Sequence, residues 1–333
     1  MNLIPILLAL YLGFNAGQAA PSQAAVRADA LVAAINTALE RPVTDAGRAT
    51  AAAKLNELDA MGVDVLRQKA AGYNRLVSLN RGSQTPDEPL LRKFLVLYAQ
   101  LPAADRDAFR FGRYLAYEIL AANAHRLNAF DREKLLLREG VALFSSDAGD
   151  VRELKITQQL LDRAEMVGQP APALTAAHWF NATLPRNRLE MTGKVTVIEF
   201  TAHWCGPCKD SYPGLLRLHQ QFADRGLRIV LATRFWGYFG AEKGISEDRE
   251  LVADYRMFLD EDRLPFPIAI AKPLAGAGAA EGADVNAAAY FVQPIPHFVV
   301  IDRKGIVRRI DLGWDAADEA RLATAIEALL AER

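Results

Sequence analysis

The hydrophobic pattern of this chain changes period near residue 166, and that switch constrains the fold more than any other feature. From Ala24 to Met166 apolar residues recur every three or four positions, Ala, Leu, Arg and Glu dominate, and no convincing strand pattern appears. Segments such as "AAVRADALVAAINTALE", "EPLLRKFLVLYAQL" and "AFRFGRYLAYEILAANAHRL" read as amphipathic helices. Breaks fall at Arg41-Pro42, at "NRGSQTPDEP", at Leu101-Pro102 and at "SSDAGD", where Asp147 or Asp150 can start the last helix of this half. No fixed repeat length emerges, so a solenoid is not expected. Phe94, Tyr98, Phe109, Tyr114 and Tyr117 are expected to fill the core of this bundle.

Around "VGQPAPAL" (Val167 to Leu174) two prolines and a glycine end the helical pattern, and β-branched runs take over. Strands are expected at Lys194 to Phe200, Leu227 to Thr233, Phe266 to Ala271, His297 to Asp302 and Ile306 to Gly313. The last two form a hairpin about a Lys304-Gly305 turn. Helical patterns intervene at Gly206 to Arg225, Ser246 to Asp262 and Asp315 to Glu332. This order is that of an α/β sandwich on a mixed sheet, preceded by an all-α domain.

Ahead of both lies an apolar run, Leu3 to Phe14, followed by "NAGQAAPSQAA". It has the form of a signal peptide over residues 1–19, with Gly17 and Ala19 at the −3 and −1 positions of a cleavage site. The run is short for ~30 Å of hydrocarbon, and its flank carries no Lys or Arg, so an uncleaved anchor is the alternative. Export, with a periplasmic destination, is the expectation. No cysteine follows the run, which excludes lipid attachment there. The domains expected are then 20–165, helical, and 166–333, α/β. A net charge of −1 without a basic stripe gives no support for nucleic-acid binding.

Cys205 and Cys208 are the only cysteines in 333 residues. They follow a buried-strand pattern, where a helix should begin. Helix N-termini carry unpaired N–H groups and partial positive charge, which favour a thiolate, the nucleophile of disulfide exchange. Two intervening residues let the second thiol resolve a mixed disulfide. Tetrahedral zinc needs ligands that no second Cys or Cys/His pair supplies. Haem attachment wants His where Lys209 stands, and a disulfide closing so small a loop stabilises little. A redox pair is the remaining reading.

"WCGPCK" (Trp204 to Lys209) resembles the active site of thioredoxin-fold oxidoreductases. Pro213 falls where that family kinks its first helix, Ile295-Pro296 where it has a cis-proline loop, and Glu199 where it has a buried acid. Within the superfamily the chain is similar to the exported TlpA-like branch, through "GQPAPAL" and "GKVTVIEFTAHWC". That branch's extra helix and strand correspond to about 235–292. The likeness covers residues 166–333 and leaves the helical half without a named family.

The resemblance implies a thioredoxin-like fold and a role for each motif residue. Cys205, the exposed member, attacks and Cys208 resolves. Glu199 is buried and shuttles the Cys208 proton, or else points to water. Trp204 packs over the site, and Ile295 and Pro296 hold a substrate strand. A protonated His203 lowers the Cys205 pKa, whereas a solvent-facing one does nothing. Gly206-Pro207 is the reducing family's dipeptide, so the expected activity is reduction of protein disulfides. A membrane electron donor is implied as partner, because no nicotinamide or flavin motif supplies electrons internally and no cofactor is expected. The alternatives are a disulfide oxidase or isomerase, a thiol peroxidase, disfavoured by Ala202 where a Thr or Ser is wanted, and an adaptor or chaperone docking through the helical half. The aromatic stretch "FWGYFG" (Phe235 to Gly240) is either a substrate-facing patch or, for Phe235 at least, core. "AGAGAAEGAD" (Ala275 to Asp284) is a loop with no phosphate-binding spacing.

Overall fold

The computed structural model describes residues 21–146, 149–182, 184, 187–274, 284–315 and 317–332. The expected leader, Asp147 and most of the 275–284 loop lie outside the described residues. The chain divides into two compact units, one ending at Ala129 and the other spanning Phe130–Arg333. Among the described residues, no helix is long and apolar enough to cross a membrane.

Among the described residues the first unit is built of helices: α1 (Gln23–Ala38), α2 (Asp45–Asp59), α3 (Leu66–Leu79), α4 (Glu88–Gln100), the short α5 (Ala103–Arg106) and α6 (Arg110–Arg126). Side-chain oxygens start three of these helices by accepting an otherwise orphaned backbone N–H. Ser22 Oγ accepts from Ala25, Thr44 Oγ1 from Gly47 and Asp87 Oδ1 from Leu90, at 3.1, 3.0 and 3.1 Å. Ile35, Leu58, Leu91 and Phe94 are fully buried, with Tyr98 and Phe109 beside them in the core. Tyr114 and Tyr117, expected in that core, are only partly buried.

The second unit opens with two helices, α7 (Phe130–Ser145) and α8 (Val151–Glu165). The expected domain boundary at 165/166 therefore falls inside this unit. The contacts explain why: Lys134 Nζ donates to the Val167 carbonyl at 2.7 Å, and Phe130 packs against the apolar cluster that holds Val167, Tyr290 and Val299.

Beyond α8 the strands are β1 (Leu174–Thr175), β2 (His178–Phe180), β3 (Arg188–Leu189), β4 (Val195–Phe200), β5 (Leu227–Arg234), β6 (Tyr238–Phe239), β7 (Glu242–Lys243), β8 (Ile268–Ala271), β9 (His297–Ile301) and β10 (Val307–Leu312). The helices are α9 (Gly206–Phe222), α10 (Glu247–Tyr255), α11 (Val285–Ala289) and α12 (Asp318–Ala331). Six strands form one mixed sheet in the order β10-β9-β4-β5-β8-β2. The β4–β5 and β5–β8 pairs are parallel, and the other three pairs are antiparallel.

Every residue of β4 is buried, because both faces of the sheet are covered. Val195 and Val197 point into one apolar layer with Leu215, Leu218 and Ile326, from α9 and α12. Ile198 and Phe200 point into the other, with Met166, Val167 and Tyr290. Each such fully buried aliphatic or aromatic side chain is worth about 1.5–3 kcal/mol relative to exposure. Strand alternation therefore sends Glu199 to the α9 side. The β9–β10 hairpin turns at Gly305, whose φ of +82° suits glycine, while Asp302 Oδ1 accepts the N–H groups of Lys304 and Ile306. The expected insertion holds more than one helix and one strand: the β6–β7 hairpin, α10 with a π-helical continuation (Arg256–Glu261), β8 and α11.

Candidate active site

Strand β4 delivers the chain to the site, and α9 carries it away. Thr201 to Trp204 bridge the two, and Cys205 is the N-cap of α9, with Pro207 in the first turn where its missing N–H costs nothing. The Cys205 sulfur accepts the N–H of Cys208 at 3.2 Å, as a capping oxygen would. Cys205 and Cys208 are joined as a disulfide with Cα atoms 5.3 Å apart.

Cys205 is only 3% exposed and Cys208 is fully buried, so the pair is less open than expected, though the order holds. The reason lies overhead. Trp236 and Ile295 pack on the cysteines, and Trp204, itself 47% exposed, meets the Trp236 ring edge-on at 5.0 Å. Arg234 lies over the other side of that arrangement, 3.9 Å from the Trp236 ring centre. Phe235 points into the core instead. The aromatic stretch is thus divided residue by residue between core and site.

Glu199 is fully buried, and burial pushes its carboxyl well above the usual carboxylate range. Ser211, one turn into α9 beyond Cys208, is its contact: the hydroxyl oxygen lies 3.0 and 2.9 Å from the Glu199 oxygens and 2.7 Å from the Cys208 carbonyl. The next α9 residue, Tyr212, shares a 2.9 Å hydrogen bond with Thr201, pinning the helix to the end of β4. Pro213 lies inside α9.

His203 is neither solvent-facing nor charged, and the expectation that a protonated His203 tunes Cys205 is corrected here. Its side chain is buried between Tyr238 and Phe239, with ring centroids at 5.2 and 4.7 Å. Burial, with a contribution from Lys209, pushes its pKa down to about 4, so the ring is neutral at pH 7. What favours a Cys205 thiolate is then the helix end and its N–H donors rather than the histidine.

The Ile295–Pro296 bond is cis, and Ile295 is half-buried against the cysteines. His297 follows it, fully buried edge-on to Phe200, its pKa pushed down to about 3 by burial and Arg163. A cavity of about 1000 Å³ opens between Trp204, Trp236 and Ile295 on one side and Ile156, Leu160 and Arg163 of α8 on the other.

Sequence reasoning missed Ser211 and the place of α8 beside the site, while Trp236 lies in the aromatic stretch read as either a substrate-facing patch or core. A serine three residues beyond the second cysteine lies near it on a helix, which is a usable signal in hindsight. The α8 residues carry no such mark.

Residues 166–326 match the Redoxin family model. The chain is 30% identical over 121 residues to the thioredoxin-like protein YneN of Bacillus subtilis, spanning 36% of this chain and 58% of that one. It is 30% identical over 79 residues to the thiol-disulfide oxidoreductase ResA of Oceanobacillus iheyensis, spanning 24% and 34%. The aligned region thus covers less than two thirds of either relative. A crystal structure of a thiol-disulfide isomerase from Corynebacterium glutamicum is 21% identical, with a TM-score of 0.39, over 49% of this chain and 98% of that one. With its mixed sheet, capped cysteine pair and Redoxin match over residues 166–326, the C-terminal part of this chain has a thioredoxin-like fold and is similar to thiol–disulfide oxidoreductases of that fold.

Proposed function

We propose that this protein is exported and reduces protein disulfides by dithiol–disulfide exchange. The observation that carries the reading is the Cys205 sulfur at the N-cap of α9, accepting the Cys208 N–H, with the Glu199–Ser211 pair packed beneath. In the reduced protein, the Cys205 thiolate attacks one sulfur of a substrate disulfide. The substrate S–S bond breaks, its outer sulfur leaves as a thiolate and takes a proton from solvent, and a mixed disulfide joins Cys205 to the substrate.

Cys208 must then lose its proton. Glu199 in its deprotonated form accepts it, a transfer suited to a carboxyl whose proton affinity burial has raised, while Ser211 holds the acid against α9 through the Cys208 carbonyl. The Cys208 thiolate attacks the Cys205 sulfur and releases the second substrate thiol. Two electrons have passed to the substrate, and the protein holds the Cys205–Cys208 disulfide. A membrane dithiol donor restores the thiols. Trp204, Ile295 and Pro296 border the approach and hold the substrate segment. Gly206-Pro207 supports the reducing direction, Leu3 to Phe14 supports export, and Ala202 offers no hydroxyl for peroxide. The helical residues 20–129 act outside this chemistry.

The test is trapping. Cys208→Ser should accumulate mixed disulfides on Cys205 that dithiothreitol releases, and Cys205→Ser should accumulate none. Equal trapping by both variants contradicts the assignment.

A further inference from the structure

A second group of reactive side chains lies next to the cysteine pair, and the redox chemistry above makes no use of it. His203 Nδ1 is 3.6 Å from Asp254 Oδ1 and 3.9 Å from Glu250 Oε1, and one ligand atom from each of the three lies within 4.8 Å of the others. His203, Glu250 and Asp254 side chains are 3%, 0% and 1% exposed. Both His203 ring nitrogens and both Asp254 oxygens lack a hydrogen-bond partner. Glu250 is held in place, its oxygens accepting the N–H groups of Trp236 and Gly237 at 2.7 and 2.9 Å.

Four unsatisfied, fully buried polar atoms on two adjacent side chains are unusual, since buried polar groups almost always find partners. Two carboxylates this close and this dry also need a positive charge between them or protons on them. We propose that His203, Glu250 and Asp254 bind a divalent first-row transition-metal cation, with Zn²⁺ as the representative ion.

Three features support this. Bonds of about 2.0–2.2 Å to one ion place two donor atoms roughly 3–4.3 Å apart, a window that contains both measured separations. The donor set of one imidazole and two carboxylates neutralises a double charge, and the imidazole favours a transition metal over calcium or magnesium. A carboxylate offers about four lone-pair directions, so Glu250 keeps capacity after its two backbone contacts. Bound there, the ion fastens α10 to the segment that leads directly into Trp204 and Cys205. The proposal does not depend on the redox reading and stands or falls without it.

The experiment uses the full chain with the Cys205–Cys208 disulfide intact, so that no thiol competes for metal. Calorimetric titration with ZnCl₂ should show one site per chain. Saturation at about a hundred times Kd should raise Tm by about 5 °C or more. Asp254→Asn and His203→Gln should weaken binding at least about a hundredfold, more than loss of an outer-shell partner usually costs. Glu261→Gln, an exposed acid beyond α10, should bind as the unmodified chain does. Zinc-edge X-ray absorption of the unmodified chain should show only nitrogen and oxygen ligands, a readout that needs no variant to fold. Absence of saturable binding, undiminished affinity in Asp254→Asn, or a sulfur ligand shell would each overturn the proposal.

Discussion

One hydroxyl, that of Ser211, lies within 3.0 Å of both Glu199 carboxylate oxygens while also reaching the Cys208 carbonyl at 2.7 Å. A hydroxyl has one hydrogen, so it cannot donate to three acceptors. With Glu199 protonated the arrangement closes: Glu199 donates to Ser211, and Ser211 donates to the Cys208 carbonyl. This gives a physical reason for an acid near the end of an apolar strand, and it ties that acid to the backbone of the resolving cysteine.

Glu199→Gln should lower the rate of substrate disulfide reduction about 10²-fold, the lower end of what a general acid–base group contributes. The variant should also change the pH dependence of stability. Glu199 binds its proton more tightly folded than unfolded, so the stability it contributes is complete below its unfolded pKa and is lost as pH rises through its folded pKa. Each tenfold change in proton affinity corresponds to about 1.4 kcal/mol. Calorimetry from pH 4 to 9 should therefore show Glu199→Gln gaining in Tm over the unmodified protein as pH rises. Parallel curves would contradict the buried, proton-holding role.

His297 acts in the opposite sense. Its pKa falls from 6.5 to about 3 on burial, so the folded state binds its proton less readily than the unfolded chain does. Its contribution is intact above pH 6.5 and is lost as pH falls towards 3. His297→Gln should flatten the loss of stability between pH 6.5 and 4, which denaturant melts at several pH values will measure.

Much of the second unit was legible in the sequence. Strands β4, β5, β8, β9 and β10 are short β-branched apolar runs bounded by turn residues, a pattern that buried strands produce and helices of ordinary length do not. The Lys304-Gly305 turn and the Cys205 cap are local chemistry written in adjacent residues. The strands β1, β2, β3, β6 and β7 have two or three residues each, too few to carry a period, and exist only through their pairing partners. Helix α10 reads as a charged surface helix, "EDRELVADY", yet Glu250 and Asp254, four residues apart on one face, are buried. Nothing local says which face a helix in an insertion turns inward. The same limit applies to α7 and α8: their periodicity marks helices, while membership of the second unit comes from contacts such as Lys134 with Val167.

That membership has a consequence for truncation. The fragment 130–333 should unfold cooperatively and keep the proposed disulfide-exchange activity. The fragment 166–333 loses the Lys134 contact and the packing of Phe130, and should melt at a Tm at least several degrees lower. Equal Tm values for the two would show that α7 and α8 contribute nothing to the unit.

Trp236→Ala removes the ring that covers the cysteines and meets Trp204 edge-on. The aromatic pair alone is worth about 0.5–1.5 kcal/mol. The variant should be less stable by at least that amount, and in the reduced protein Cys205 should react faster with iodoacetamide. Unchanged alkylation would mean that Trp236 does not control access.

The reducing direction predicts a potential nearer to about −270 mV than to the ~−120 mV of the strong oxidants. Equilibration of the Cys205–Cys208 pair with glutathione buffers, followed by mass spectrometry, measures it. A value near the oxidants would reverse the assigned direction.

The most direct test of the whole account is the ionisation of one sulfur. Reduced protein is alkylated with iodoacetamide across pH 3 to 10, and modification of the Cys205 peptide is followed by mass spectrometry. A sulfur held at the helix end by N–H donors should give an inflection between about pH 3.5 and 7.5, well below a free thiol. An inflection at about pH 8.5 or above would show that Cys205 is an ordinary buried cysteine, and the proposed exchange chemistry would have no nucleophile.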